Sequence, residues 1–307
     1  MGDVLLSIWT LIVYMAIGFA LVKLSVLGPQ ADRGLSKIVF YVTMPMLLLR
    51  TVGTADLADV FSLGLLANVL TALIVLATYY VLAVRVFRLT GGMQTIGALA
   101  SSYTNAGNVG VAFLIATVGT PTAAAGIIVF QVLVLVPFAF LMLDRQTVVD
   151  AGPRWKLLVS SFTQPPLVAV FAGLLLNLSA WDVPELITVP VDALANTTVP
   201  LMMVALGVSL ASAKILRLNR DNLPLFTAIA FRILVSPIIT FVIASILGLE
   251  GSMLLAAMVV SIFPTANNLF AIAHRYEVGV AFTRDVSVIT ALGSMPALIV
   301  IAAIFHV

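Results

Sequence analysis

The chain has 307 residues, of which 62% are hydrophobic and 9% charged, with a mean hydropathy of +1.19. A water-soluble domain carries about a quarter of its residues as charges, so 15 Lys and Arg with 13 Asp and Glu cannot clothe one, and most of this surface faces lipid. The absence of cysteine excludes disulfides, thiolate metal sites and cysteine nucleophiles, and a net charge of +2 without a basic run excludes nucleic acid as a partner.

In chain order, apolar windows long enough for a bilayer core recur at residues 4–22, 35–53, 60–84, 93–118 and 122–143, then at 157–178, 186–210, 223–249, 252–273 and 286–304. The first follows Asp3 rather than a basic leader and reads as a retained helix. Barrel strands alternate apolar and polar residues, whereas these runs are apolar on all sides. The expected fold class is therefore an all-α integral membrane protein with ten transmembrane helices.

The basic residues test that count independently. Every Lys and Arg except Arg50 and Arg232 falls in or beside a loop that follows an odd-numbered span. Cytoplasmic loops are enriched in Lys and Arg, so the expected topology is a multi-pass protein of the plasma (inner) membrane with both termini on the non-cytoplasmic side.

The two halves resemble each other. Thr43-Met44-Pro45-Met46-Leu47 in the second span matches Thr198-Val199-Pro200-Leu201-Met202 in the seventh, 155 positions on. Asn108 in the fourth span matches Asn267 in the ninth, and Pro137 in the fifth matches Pro296 in the tenth, both 159 positions on. Five spans per copy is an odd number, so residues 1–150 and 151–307 read as two five-helix repeats of inverted topology.

The fourth span is interrupted by Asn105, Gly107, Asn108 and Gly110, and the ninth by Pro264, Thr265, Asn267 and Asn268. Asparagine and glycine weaken a helix and proline removes a backbone donor, and unwound backbone survives at membrane depth only inside protein or along a watery cavity. Two matched breaks mark a substrate site, with half-helix N-termini offered to an anion or freed carbonyls to a cation. Small-residue packing with asparagines bonded between helices is the competing reading.

Other polar residues lie within the spans. Arg232 is a full charge deep in the eighth, at a cost of roughly 2.5–3.5 kcal/mol. It either attracts an anion or bonds structurally, by snorkelling or by capping the carbonyls of a broken helix. Gln131 is polar in the middle of the fifth span, where it meets either a ligand or a neighbouring helix. Asp192 and Asn196 read as interfacial, His274 and His306 lie at a helix end and the C-terminus, and Pro45 and Pro200 read as helix kinks.

With Asn105 to Gly110, Pro264 to Ala273, and Pro200-Leu201-Met202-Met203 leading to Ala205-Leu206-Gly207, the chain resembles the auxin efflux carrier family over nearly its whole length. That group holds the plant auxin exporters and bacterial malonate and malate transporters, within the bile acid, arsenite and riboflavin transporter superfamily. The resemblance implies a bile acid symporter-like fold in which broken helices four and nine cross at mid-membrane. A small organic anion would sit there beside Asn105 or Asn108, Asn267 or Asn268, and Gln131. It further implies a scaffold of helices one, two, six and seven, through which two copies pair as a homodimer, and a transport domain of helices three to five and eight to ten that moves like an elevator. Two departures stand out. Val111-Ala112 occupies the place where the family commonly has proline, and the connection 144–156 is far shorter than the cytoplasmic loop of the plant exporters.

The reading is a carrier of small carboxylates embedded in a lipid bilayer, without cofactor or metal, its coupling ion (Na+ or H+) left open. The runner-up is a sodium-coupled bile-acid-type symporter, with Ser101, Ser102, Thr104 and Thr265 as hydroxyl ligands. An intramembrane enzyme is disfavoured: no His lies within a span, no GxSxG elbow occurs, and Asp56 with Asp59 has no further metal ligand. A passive channel differs from a carrier only in its flux.

Overall fold

The computed structural model describes residues 2–28, 30–54, 62–106, 110–119, 122–147, 163, 165–179, 183–211 and 220–305. These form α1 (Gly2–Lys23), α2 (Ala31–Gly53), α3 (Leu63–Arg85), α4 (Met93–Ser102), α5 (Val111–Val118), α6 (122–147) and α7 (Pro165–Ser179). They continue with α8 (Glu185–Ala211), α9 (Leu223–Ile246), α10 (Gly251–Ser261), α11 (Asn268–Tyr276) and α12 (Val280–Ile304). Among the described residues, α2, α3, α8, α9 and most of α6 and α12 are long and apolar enough to cross a membrane. The protein is an all-helical membrane protein.

Several ends differ from the sequence expectation by three residues or more, among them the starts of the last and second helices. The last helix begins at Val280 rather than at 286, because its charges are neutralised locally: Arg284 Nε donates to Asp285 Oδ1 at 2.6 Å, and Nη1 to the carbonyl of Ser209 at 3.2 Å. The second begins at Ala31 rather than at 35, so Asp32, Arg33 and Lys37 lie on its first turns. The fourth and ninth windows each resolve into two helices, α4 with α5 and α10 with α11.

Three helices contain a π turn: Val39–Thr43 in α2, Gln131–Leu135 in α6 and Phe231–Val235 in α9. Each ends two residues before a proline, namely Pro45, Pro137 and Pro237. A proline ring clashes with the carbonyl four residues back and supplies no N–H to bond it. That carbonyl belongs to residues 41, 133 and 233, the centre of each π turn. The widened turn relieves the clash and re-aims the side chains around it. Pro190, Pro200 and Pro296 lie in unbroken α-helix, a difference for which the structure offers no account.

Contacts sort the helix ends into two groups. At one end Arg33 pairs with Glu277, Gly92 lies beside Val278 and Thr147, and Arg284 reaches Ser209. At the other, Asn177 Nδ2 donates to the carbonyls of Val52 and Gly53, both at 3.1 Å, Arg50 bonds Asn196 at 2.7 Å, and Gly64 packs near Leu249 and Met253.

Helix α1 packs along α8, and α7 along α2. Backbones there approach closely through small residues, as in other membrane helix pairs. A Cβ at Gly207 would overlap the Met15 carbonyl, and one at Gly18 the Val204 carbonyl. The core surrounds the breaks, where Ile96, Leu99, Phe113, Phe263 and Phe270 are fully buried. Leu175, Leu178, Leu234, Ile238 and Ile246 are exposed on the outside, as suits lipid-facing positions.

Candidate functional site: two broken helices paired at their breaks

Helices α4 and α10 stop at Ser102 and Ser261, and the chain beyond each is extended. The two extended pieces pair with each other. Thr104 lies opposite Thr265 in an antiparallel bridge, with the Asn105 N–H donating to the Pro264 carbonyl at 2.8 Å and the Ala266 N–H to the Tyr103 carbonyl at 2.9 Å. A buried backbone group without a partner is costly, and Thr104 and Thr265 are both buried, so mutual pairing is what permits the two breaks there. Proline suits position 264, since only its carbonyl is used in the pairing.

Side chains fasten the bridge to its surroundings. Thr265 Oγ1 donates to the Ala100 carbonyl at 2.6 Å, and the Thr265 N–H to Thr290 Oγ1 on α12 at 3.0 Å. Gln131, 4% exposed at the start of the α6 π turn, donates from Nε2 to Thr104 Oγ1. The Gly110 N–H donates to the Asn105 carbonyl at 3.1 Å, and Gly110 itself lies under the Phe263 ring, where a Cβ would come within 2.5 Å.

Arg232 lies in the α9 π turn and is 3% exposed. With Ser236 and Thr240 it makes the polar part of one buried stripe at helical spacing, continued by Ala228 and Ala244, on a helix whose other faces are mostly half-buried or exposed. Its Nη1 donates to the Ser102 carbonyl at 3.3 Å and its Nη2 to the Ser261 carbonyl. Those are the last residues of α4 and α10, so one guanidinium sits on the C-terminal, negative dipole ends of both half-helices. Of its two sequence readings, the bonds are those of the cap on a broken helix.

What remains at the crossing is polar and partly open. Asn267 and Asn268 head α11, both half-buried, with Asn267 Nδ2 4.0 Å from Met203 Sδ on α8 and the Tyr103 hydroxyl beside the Asn268 side chain. Asn267 makes no side-chain cap on its own helix. The Leu269 and Phe270 N–H groups donate to the Ala266 and Asn267 carbonyls at 3.1 and 2.9 Å, so what α11 turns to the crossing is its positive dipole end. Among the described residues no group of three or more His, Cys, Asp or Glu gathers to hold a metal.

Asn105, Gly110, Gln131, Pro264, Thr265, Asn267, Asn268 and Arg232 thus come together from four separate stretches of chain. Gly107 and Asn108 lie outside the described residues, as do Asp56, Asp59 and His306. Pro45 follows a π turn and Pro200 sits within unbroken α8. Asp192 pairs with Arg50 at 3.7 Å near a helix end. Sequence reasoning gave no site role to Thr290 or Met203; a threonine one turn from a serine in an apolar helix carries no signal of its tertiary partner.

A family model described as "membrane transport protein" matches residues 3–302. No curated protein matches the chain.

Proposed function

The chain belongs to the auxin efflux carrier family of membrane transport proteins, and from that premise we propose that it carries small organic anions, carboxylates foremost, across the plasma (inner) membrane by elevator-type alternating access. The observation that carries the substrate class is the double cap of Arg232 on the Ser102 and Ser261 carbonyls. It neutralises the negative ends of both half-helices and leaves the positive N-terminus of α11, with Asn267 and Asn268, facing the crossing. An anion is the complementary ligand, with Gln131 steadying the bridge from α6.

A cation is less well served. The carbonyls of Ser102, Tyr103, Pro264 and Ala100 already accept hydrogen bonds, and the hydroxyls of Ser101 and Ser102 donate to Ala98 at 2.8 Å. Sodium-coupled symport is therefore the second reading.

The chain crosses ten times in this reading, with α4–α5 and α10–α11 each a single broken span, in two inverted five-helix repeats. The sorting of helix ends supports it, because the end with Arg33, Gly92, Thr147 and Arg284 is the one to which the odd-numbered loops belong. That end is cytoplasmic and both termini lie opposite. The scaffold is α1, α2, α7 and α8, whose mutual packing supports the assignment, and two copies pair through it. The remaining helices form the moving transport domain. No part of the reading calls for enzymatic chemistry.

The test is counterflow in proteoliposomes. Proteoliposomes preloaded with unlabelled malonate or malate accumulate labelled carboxylate, without sodium, and Asn267→Ala abolishes this while inserting normally. Saturable counterflow separates a carrier from a channel, and undiminished counterflow by the variant removes the site assignment.

A further inference from the structure

At the end of the molecule where Arg33 pairs with Glu277, α2 and α11 part to leave a cleft of about 230 Å³. This is smaller than the roughly 300–1,000 Å³ that holds a drug-sized ligand, and suits one small polar group. Lys37 from α2 and Arg275 from α11 line opposite sides. Neither has a carboxylate within ion-pair distance among the described residues. The two carboxylates nearby are engaged: Glu277 bonds Arg33, and Asp32 Oδ2 lies 3.3 Å from His274 Nε2. At the base sits Ser36, 1% exposed, whose hydroxyl has no hydrogen-bond partner. A buried, unpartnered hydroxyl is destabilising, and a bound acceptor would remove that cost.

We propose that this cleft is an oxyanion site, in which Lys37 and Arg275 hold a carboxylate or phosphate group between α2 and α11 and Ser36 donates to it. Two uncompensated cations, a free donor and a small concave volume are the chemistry such a group requires. Arg275 offers a planar pair of donors and Lys37 a compact point charge. The site is separate from the helix crossing, so it stands or falls independently of the transport reading. Its ligand has two sources, a free anion in the aqueous phase or the phosphate of an anionic lipid headgroup, since charged residues at the ends of apolar helices lie near the membrane–water interface.

The test is thermal melting of the purified full-length protein in phosphatidylcholine nanodiscs, titrated with inorganic phosphate against chloride at equal ionic strength. Stabilisation by phosphate is expected in the wild type. Loss of one charge-assisted contact weakens the apparent affinity roughly tenfold, so Lys37→Gln with Arg275→Gln removes the response and Ser36→Ala reduces it. Asn267→Ala, at the crossing, keeps it. Stabilisation by phosphatidylglycerol nanodiscs that the double variant lacks, without a response to phosphate, assigns the site to a lipid headgroup. Lys37 and Arg275 are exposed, so their substitution leaves the fold intact. A wild type that neither phosphate nor phosphatidylglycerol stabilises, or a double variant that responds like the wild type, overturns the proposal.

Discussion

The guanidinium of Arg232 donates to the carbonyl of Ser102 at 3.3 Å and, through its other nitrogen, to the carbonyl of Ser261. A charge that is costly in a bilayer is thereby bonded at the two places where helix ends leave carbonyls unpaired. In the proposed function, the same arrangement favours an anion at the crossing.

Arg232 is accordingly the first residue to change. Arg232→Met leaves two buried acceptors unpaired at about 1–3 kcal/mol each, so the melting temperature falls and carboxylate counterflow is lost. Arg232→Lys retains the charge but cannot fork to two carbonyls, and its stability lies between the two. A methionine variant that melts and transports like the wild type would show that the bonds contribute nothing.

Pro237 tests how Arg232 is aimed. Pro237→Ala restores an N–H and removes the ring that holds Phe231–Val235 open. Closure to regular α-helix shifts the register by one residue, about 100° of rotation, and turns Arg232 away from the breaks. Transport is expected to fall as in the Arg232 variants, with membrane insertion unaffected. Wild-type flux would mean that the π turn is not what positions the guanidinium.

Two glycines should respond differently to the same methyl group. Gly110→Ala meets the Phe263 ring, costs about 1–3 kcal/mol and is partly rescued by Phe263→Leu in the same chain. Gly207→Ala meets the Met15 backbone, which cannot rotate aside, so it costs more and no side-chain change at α1 restores it. Equal losses at the two sites, measured by melting in detergent, would contradict this ordering.

The Arg33–Glu277 contact joins α2 to the turn after α11, across the boundary between the proposed scaffold and the moving domain. The chain lacks cysteine, so Arg33→Cys with Glu277→Cys gives a single cross-linkable pair. A short thiol cross-linker should stop counterflow yet leave the ligand-induced rise in melting temperature. Unimpaired flux in fully cross-linked protein would rule out relative motion there.

Much of this was legible in the sequence because the signals are local. Asn105, Gly110 and Pro264 weaken a helix wherever they stand, and the basic residues mark loop sides without reference to packing. Pairing is not local, so nothing around Thr104 or Thr265 announces that each is the other's partner across the molecule. Arg232 was visible as an anomaly, but the choice between attracting a ligand and capping helices depends on where Ser102 and Ser261 end. The late start read for the last helix came from treating Arg284 and Asp285 as loop charges, whereas Ser209 and their mutual contact let the helix carry them. The prolines at 45, 137 and 237 were in plain view, and only the backbone reveals that they open π turns while Pro200 and Pro296 do not.

The central claim is that a carboxylate binds at the crossing, against the N-terminus of α11. It is tested most directly by melting the purified protein with malonate, malate, indole acetate and bile acids, each with and without sodium, in the wild type and in Asn267→Ala. A ligand selective for the folded state raises the melting temperature as its occupancy grows. The account predicts a rise with a small carboxylate, independent of sodium and absent in Asn267→Ala. A rise that persists in the variant, or that appears only with sodium, would contradict it.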